Sequence, residues 1–179
     1  MIFGIEGLIS DVSLDMHNEY VRNLKLKLSV LEKSYPEIIS RDFCDITKSR
    51  FKYKDEAVFL KSEIKMHELY FSSFGEGYQR SNKIREEFGS EARFLYDLLC
   101  GARDEKCDYI LISLTRRERV KVDFGSSSIL LTADAPMLCI DICEHAYFRD
   151  FGFERDAYLK CFLPHLNLSL IDKFCGAKD

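Results

Sequence analysis

The stretch from Asp141 to Tyr147, D-I-C-E-H-A-Y, follows the apolar run Pro136–Ile140 and places a carboxylate and an imidazole four positions apart. One turn of helix, or a strand that runs into a helix, would direct both side chains to one point. An oxygen donor beside a nitrogen donor suits a redox metal such as iron or manganese better than zinc, which favours more sulfur or nitrogen. An aspartate four residues before a histidine is nevertheless a common pattern, so other residues must support a metal site.

Composition sets bounds on the fold and on the classes of partner. The chain has 179 residues, of which 46% are apolar, enough for one domain or two small lobes with a real core. Its net charge of −4 gives no basic footprint, so nucleic acid is not an expected partner unless the chain is part of a ribonucleoprotein assembly. The basic stretch Arg116-Arg117-Glu118-Arg119 could contact phosphates, but its charge pattern favours a solvated hairpin turn.

Cysteine usage and hydropathy indicate the compartment. The seven cysteines form an odd set without a Cys-x-x-Cys pair, and several lie in apolar runs. This pattern is typical of buried free thiols in a reducing compartment. No apolar run approaches the roughly 18 residues that a membrane span needs, and Met1–Glu6 lacks a basic leader. We therefore expect a cytoplasmic protein without membrane contact, with the mitochondrial matrix as the alternative.

The first half of the chain has helical periodicity. Apolar residues recur at spacings of three and four over 14–31, Ser10 or Ser13 can cap the start of this helix, and Tyr35-Pro36 interrupts it. A second long helix is predicted over about 54–74. The two helices would pack as a hairpin.

The second half of the chain changes from helical to alternating periodicity. A third helix is predicted over 84–100, and strands over 108–114 and 119–124 are joined by a short charged turn, which favours an antiparallel hairpin. A third strand over 137–142 leads into the opening stretch. The last stretch, 156–174, is helical again, with a break at its proline.

The order of these elements predicts the fold class. Helices, then three strands, then helix is typical of an α+β fold. We expect an N-terminal helical-hairpin lobe over residues 1–78, followed by a C-terminal α/β lobe with a three-stranded antiparallel sheet over residues 79–179.

The continuation of the opening stretch resembles a known family. Asp-x-x-Glu-His-Ala-Tyr is followed by Tyr158-Leu159, Phe162 and Leu166-Asn167, a succession that resembles the C-terminal signature of the iron/manganese superoxide dismutases. The resemblance implies conversion of superoxide to dioxygen and hydrogen peroxide. It also implies one iron or manganese ion per chain, held by three histidines and one aspartate.

The resemblance assigns four candidate ligands, which are His17, His67, Asp141 and His145. His67 lies in a segment that is similar to the family's second helix, where aromatic residues follow the ligand histidine. His17 follows Ile9-Ser10, just as the family's first ligand follows an Ile-Ser helix start. The remaining histidine, His165, matches no ligand position.

A second alignment of the first helix stays open. His17-x-x-Tyr20-Val-x-Asn-Leu24 also resembles a later part of the same family helix, in which Tyr20 would be the active-site tyrosine and one ligand would be missing. If His17 is the ligand instead, the tyrosine position falls near Lys25. We expect only one alternative to hold, because a five-residue slip turns a side chain by about 140° about the helix axis. We favour His17 as ligand, since no other N-terminal residue supplies the missing nitrogen.

The surroundings of the expected site depart from the family pattern. Tryptophan is absent from the chain; Phe71 and Cys143 stand at two tryptophan positions, and Ile110 and Ile112 stand where a Gly-x-Gly-Trp-x-Trp pattern is expected. The family's glutamine that holds the bound solvent stands either one turn before the second ligand histidine, where this chain has Glu63, or on a later strand, and no glutamine follows Gln79. Glu63 is either a substitute proton carrier or a surface carboxylate of the second helix. The redox potential is therefore expected to be shifted.

Glu144 implies an oligomer. In the family this glutamate crosses a dimer interface to hydrogen-bond the ligand histidine of the other subunit and so orients the imidazole. We expect a homodimer, or a heterodimer with a homologue. The tyrosine that usually helps to bridge this interface is Phe148 here, which weakens the network.

Two functions follow from these residues. The first is a superoxide dismutase that acts on superoxide, with Glu63 and Tyr20 as candidate catalytic residues. The second is a catalytically inactive homologue that serves as a structural subunit of a larger assembly, for example one associated with the ribosome. The retained ligands favour the first function, whereas the missing tryptophan, glutamine and glycine residues favour the second.

Overall fold

Eight helices and one three-stranded sheet make up the described part of the chain, a computed structural model that covers residues 8–39, 43–48, 52–75, 80–103 and 107–176. The α+β prediction is confirmed. The lobe boundary expected at residue 78 lies outside the described residues.

Two long helices begin the fold, as the apolar periodicity predicts. α1 spans Asp11–Ser34 and α3 spans Lys54–Ser72, with the short α2, Phe43–Lys48, between them. The hydroxyl of Ser10 caps α1 by accepting a hydrogen bond from the backbone N–H of Ser13 at 3.2 Å. α1 ends before Pro36, where a 3-10 turn over Pro36–Ile38 follows.

The end of this helical hairpin that lies away from the sheet has its own apolar cluster. Its fully or nearly buried members come from α1, α2, α3 and the 3-10 turn, and they are Leu24, Leu31, Ile38, Ile46, Ala57, Leu60 and Ile64. The near end of the hairpin belongs to the main core instead, because Met66, Tyr70 and Phe74 pack with the sheet. The hairpin is thus anchored at one end on the rest of the chain.

The prediction of one helix over 84–100 is wrong. The structure has two helices here, α4 over Asn82–Phe88 and α5 over Glu91–Gly101. Gly89 separates them with φ 83°, a left-handed conformation that favours glycine, and the hydroxyl of Ser90 then caps α5 by accepting from the N–H of Arg93. Periodicity alone did not reveal the break because the apolar spacing continues across it.

The sheet is antiparallel with the order β2-β1-β3. β1 spans Tyr109–Leu114, β2 Val120–Gly125 and β3 Ala135–Asp141, and every residue of the central strand β1 is buried. Alternation directs Tyr109 to the face opposite Ile110. Tyr109 also pairs with Asp141 in the ladder, which brings the end of β3 beside the start of β1.

Three helices follow the sheet. α6 spans Glu144–Phe151, α7 Arg155–Phe162 and α8 Ser169–Gly176, and a 3-10 turn over Leu163–His165 contains the proline that was predicted to interrupt the last helix. None of the helices in the described ranges combines the length and the apolar character that crossing a membrane requires. The six cysteines whose side chains the structure describes are free thiols, and Cys107 and Cys139 among them are buried.

The carboxylate of Asp172 on α8 holds the first turn of α4. It accepts hydrogen bonds from the Ser81 hydroxyl at 2.7 Å and from the backbone N–H groups of Asn82 at 2.7 Å and Lys83 at 3.0 Å. Burial raises the pKa of Asp172, but these hydrogen bonds outweigh it and hold the pKa below its ordinary value. The ionised carboxylate therefore stabilises the contact between α8 and α4.

We expect Asp172→Asn to lower the free energy of unfolding by about 2 kcal/mol at neutral pH, because two or three charge-assisted hydrogen bonds weaken. A folded-state pKa below the unfolded one stabilises the fold above the unfolded pKa, and this contribution disappears as the pH falls through the folded pKa. Urea unfolding across an acid pH series should therefore show the difference between variant and unsubstituted chain shrinking with acidification. Asp97→Asn, at an exposed pair with Arg93, is the control and should change stability by less than about 0.5 kcal/mol. A deficit for Asp172→Asn that is independent of pH would contradict this explanation.

Candidate metal centre

Four side chains from three helices and one strand converge at one point. His17 comes from α1, His67 from α3, Asp141 from the last position of β3 and His145 from the first turn of α6. Each offers one ligand atom, and these four atoms all lie within 4.8 Å of one another. They are the four residues to which the family resemblance assigns the metal.

The three imidazoles present the same nitrogen to one carboxylate oxygen. The Nε2 atoms of His17 and His67 each lie 3.3 Å from Asp141 Oδ2, and the Nε2 atom of His145 lies 3.0 Å from it. His67 Nε2 and His145 Nε2 are themselves 3.3 Å apart. Donor atoms roughly 2.1 Å from a common ion are separated by roughly 3 to 4 Å, so this spacing fits a bound cation.

His17 gives independent support for a cation. Its side chain is fully enclosed, and neither ring nitrogen has a hydrogen-bond partner among the described residues, since the 3.3 Å approach to Asp141 is not aligned as a hydrogen bond. A buried nitrogen without a partner destabilises the fold. A metal ion at the centre of the cluster would satisfy Nε2, and the donor set of three imidazoles and one carboxylate suits iron or manganese.

Local backbone geometry brings Asp141 and His145 together. The backbone N–H of Cys143 donates to Asp141 Oδ1 at 2.9 Å, which fixes the turn between the end of β3 and the start of α6. Asp141 Oδ2 remains directed at the imidazoles, and His145 follows as the second residue of α6. The four-residue spacing is therefore a strand, a turn and a helix start, one of the two alternatives that the sequence left open.

The orientation of His67 is set by its own helix. Its Nδ1 lies 2.7 Å from the carbonyl oxygen of Glu63, one turn earlier, so Nδ1–H donates and Nε2 is free of a proton on the side of the cluster. Burial is the main reason that the pKa of His67 falls to about 4, and the nearby His17 and His145 lower it further against the opposing charge of Asp141. His67 is thus neutral at physiological pH, the form that binds metals.

The pKa values of Asp141 and His145 shift so that the charged forms are favoured, whereas that of His67 shifts in favour of the neutral form. Burial raises the pKa of Asp141, but its contacts with His145 and His17 outweigh burial and hold the pKa well below the ordinary value. Burial lowers the pKa of His145, but the hydrogen bond and charge of Asp141 outweigh it, so the pKa of His145 is raised. The cluster therefore contains an ionised carboxylate that is buried within a shell of imidazoles.

Tyr20 lies at the same site as His17. Its ring stacks on His145 with centroids 4.5 Å apart and lies 5.3 Å from the ring of His67. The expectation that His17 and Tyr20 exclude each other is wrong, because residues three apart are only about 60° apart around a helix and share a face. Lys25, the other tyrosine position considered, lies away from the cluster and pairs with Glu68 at 3.5 Å on the surface.

Glu63 is buried beside this group, so the alternative of a surface carboxylate is wrong. It is only 6% exposed, and its Oε2 accepts a hydrogen bond of 2.9 Å from the hydroxyl of Tyr109. Tyr20 lies near enough to Glu63 for the charge of this carboxylate to act on its hydroxyl. Burial, followed by the charge of Glu63, raises the pKa of Tyr20 to about 12, so this hydroxyl keeps its proton at neutral pH.

Phe71 and Cys143, at two of the family's tryptophan positions, lie next to the ligands. The ring of Phe71 is 5.0 Å from that of His17. Cys143 is half-buried between Asp141 and Asp108, and burial, followed by the charge of Asp141, raises the pKa of its thiol. A thiol that retains its proton is a weak nucleophile, which indicates a packing role for Cys143.

The outer side of the cluster opens to a surface pocket of about 830 Å³. His145 is the ligand that solvent reaches, with its side chain 30% exposed, and the pocket is bordered by Glu144 and Phe148 of α6. Phe153 forms an edge-to-face pair with Phe148 at 5.0 Å and is the most exposed large apolar residue of the described chain. An exposed apolar surface thus surrounds Glu144.

Three tyrosines lie near the ligands; the sequence patterns single out neither Tyr70 nor Tyr109, and they give Tyr158 as part of the family signature without a role. Tyr109 contacts Glu63, and Tyr158 and Tyr70 form a buried pair behind Asp141. Alternation along β1 could have indicated the direction of Tyr109, but its partner is 46 residues away and carries no local signal. His165 lies outside the cluster, and its carbonyl accepts from the N–H of Gly75 at 3.1 Å.

Sequence comparisons agree with this geometry. The family model for the C-terminal domain of iron/manganese superoxide dismutases matches residues 76–174. A superoxide dismutase (Fe) of Campylobacter coli is 27% identical over 175 residues, covering 88% of this chain and 76% of the relative. A superoxide dismutase (Fe) of Plasmodium falciparum is 26% identical over 171 residues, covering 89% of this chain and 84% of the relative. The chloroplastic superoxide dismutase (Fe) 3 of Arabidopsis thaliana is 32% identical over 88 residues, covering 47% of this chain and 34% of the relative.

Proposed function

Because the chain belongs to the iron/manganese superoxide dismutases, we propose that it holds one iron or manganese ion and disproportionates superoxide. The observation that carries this proposal is the convergence of three Nε2 atoms and one carboxylate oxygen within 4.8 Å, drawn from residues as distant in sequence as His17 and His145. Three imidazole nitrogens and one carboxylate oxygen form a donor set that suits iron or manganese.

The ion supplies electron transfer, so that one superoxide is oxidised to dioxygen and a second is reduced, with two protons, to hydrogen peroxide. The four ligand residues hold the ion with a single negative charge among them, that of Asp141. Three neutral imidazoles and one carboxylate leave the centre positively charged, which attracts the superoxide anion.

Tyr20 is the proposed proton donor, and Glu63 is the proposed proton carrier beside it. Tyr20 stacks on His145 at the exposed side of the cluster and lies within the electrostatic influence of Glu63. Because its pKa is about 12, the phenol is protonated at neutral pH and can donate to a reduced oxygen. The hydroxyl of Tyr109 donates to Glu63 Oε2 at 2.9 Å, which restricts the position of the carboxylate.

Superoxide decay after pulse generation tests this function directly. The chain loaded with iron or manganese, after free ions are removed by a chelator, should accelerate the decay at least about tenfold over the same concentration of metal-free chain. Equal decay rates for the loaded and the metal-free chain would overturn the proposed activity while leaving metal binding intact.

We further propose a dimer through the surface around Glu144, either a homodimer or a heterodimer with a homologue. The apolar side chains Phe148, Phe153 and Met16 are exposed there, and exposed apolar clusters rimmed by charged residues mark interfaces. Glu144 of one copy could then orient His145 of the other, as the family resemblance implies.

Phe153→Asp is expected to shift the protein to a monomer in sedimentation velocity at micromolar concentration, because a charge replaces an apolar side chain at the centre of this surface. The side chain is 79% exposed, so the fold itself should not change. Leu26→Asp, at a position of α1 that is 62% exposed and remote from the pocket, is the matched control and should leave the dimer intact. A monomeric unsubstituted chain, or a Phe153→Asp variant that remains dimeric, would contradict this interface.

A further inference from the structure

Asp141 is held at its backbone as well as at its carboxylate. Asp141 is the last residue of β3, and its carbonyl oxygen accepts a hydrogen bond of 2.7 Å from the hydroxyl of Tyr158 on α7. Both residues are fully buried. The carbonyl and the carboxylate of one residue are linked by only a few covalent bonds, so fixing the carbonyl restricts where Oδ2 can lie.

A second tyrosine supports the first. The hydroxyl of Tyr70 on α3 lies 3.2 Å from that of Tyr158. Since the single proton of the Tyr158 hydroxyl is donated to the carbonyl of Asp141, Tyr70 must be the donor in this contact. A hydrogen-bonded chain therefore runs from Tyr70 through Tyr158 to Asp141, without solvent access.

The tyrosine pair also joins elements that carry the other ligands. Tyr70 stands three residues after His67 on α3, and its ring lies 5.1 Å from that of His17 on α1. Tyr158 stacks on Tyr147, which stands two residues after His145 on α6, with ring centroids 4.9 Å apart. The pair thus contacts all four elements on which the ligands are placed.

We propose that Tyr158 is a positioning residue for the Asp141 ligand, with Tyr70 as its support. The ring contacts of Tyr158 with Tyr147 and Phe162 would remain in a phenylalanine, so they do not account for the hydroxyl. A buried hydroxyl needs a partner, and here the partner is the backbone of the one carboxylate ligand. The inference rests on the proposed metal site and adds a residue that does not touch the ion.

Two variants that each remove one oxygen atom distinguish positioning from packing. Tyr158→Phe loses the bond to Asp141, whereas Tyr70→Phe leaves that bond intact. We expect Tyr158→Phe to weaken Mn²⁺ binding about tenfold in competition with a chelator, and Tyr70→Phe to change it less than about twofold. The double variant removes the unpaired Tyr70 hydroxyl, so it should recover thermal stability while keeping the weakened Mn²⁺ binding.

A spectroscopic measurement completes the test. The visible absorption of the Co²⁺-loaded chain reports ligand geometry, and its bands should shift in Tyr158→Phe and in the double variant but not in Tyr70→Phe. If Tyr158→Phe lowers the melting temperature but leaves both Mn²⁺ affinity and the Co²⁺ spectrum unchanged, Tyr158 is a packing residue only and the inference is overturned. If the unsubstituted chain binds neither ion, the proposed function fails and this inference fails with it.

Discussion

Asp141→Asn is expected to leave the purified chain with less than about a tenth of an equivalent of iron or manganese. Oδ2 of Asp141 lies 3.0 to 3.3 Å from the Nε2 atom of each of the three histidines, so all three imidazoles face the same carboxylate oxygen. The amide that replaces it has no negative charge to neutralise a cation. Its NH₂ group would also donate hydrogen bonds to the Nε2 atoms, whose lone pairs must stay free to bind the ion.

Superoxide consumption should fall by more than about 100-fold in Asp141→Asn, since the activity depends on the ion. Asp97→Asn is the matched control: it makes the same change at an exposed position of α5, a helix that carries none of the four ligands. That variant should retain its metal. Circular dichroism would test whether Asp141→Asn is folded, and a folded variant with a full equivalent of metal would contradict the assignment of Asp141 as a ligand.

Tyr20→Phe is expected to lower the maximal rate of superoxide consumption about 100-fold without changing the metal content. The substitution removes the phenol hydroxyl but keeps the ring that stacks on His145. A site that keeps its four ligands but lacks a proton donor should still bind superoxide, whereas the protonation and release of peroxide should become slow. Metal content by elemental analysis and rate by pulse radiolysis separate the two effects.

Tyr96→Phe on α5 is the control for Tyr20→Phe, because this tyrosine is exposed and lies on a helix that carries no ligand. Its rate should equal that of the unsubstituted chain. An unchanged rate in Tyr20→Phe would show that protons reach the site by another route, and loss of metal in this variant would show that the ring or hydroxyl is needed for binding instead.

The ligand positions could be predicted from the sequence because each lies in a local pattern. His67 falls within a helical segment with aromatic neighbours, and Asp141 and His145 lie in a signature of seven residues. The register of α1 was harder: His17 and Tyr20 matched two different family positions, and the choice between them assumed that only one could face the site. The structure places both on one face of α1, which a test of helical spacing between the two residues would have indicated.

The contacts around the ligands could not be predicted because they join residues far apart in the chain. The bond from Tyr109 to Glu63 spans 46 residues and that from Tyr158 to Asp141 spans 17. Neither pair has a periodicity or spacing that marks it, since hydrogen bonds between elements depend on tertiary packing. The chain has no tryptophan, but this absence alone does not indicate that tyrosine hydroxyls lie near the ligands.

The break between α4 and α5 has a comparable cause. Gly89 ends α4 and Ser90 caps α5, but the apolar residues on both sides follow one continuous spacing. Periodicity alone therefore predicts a single helix. Glycine followed by serine at the end of an apolar run is the signal that predicts such a break.

Elemental analysis of the chain purified from its own source tests the central claim most directly, because the claim is that four side chains share one redox ion. The result expected is about one equivalent of iron or manganese per chain, at a donor set of His17, His67, Asp141 and His145. Less than about a tenth of an equivalent, in protein prepared without chelators, would contradict the metal centre and would favour the catalytically inactive structural subunit.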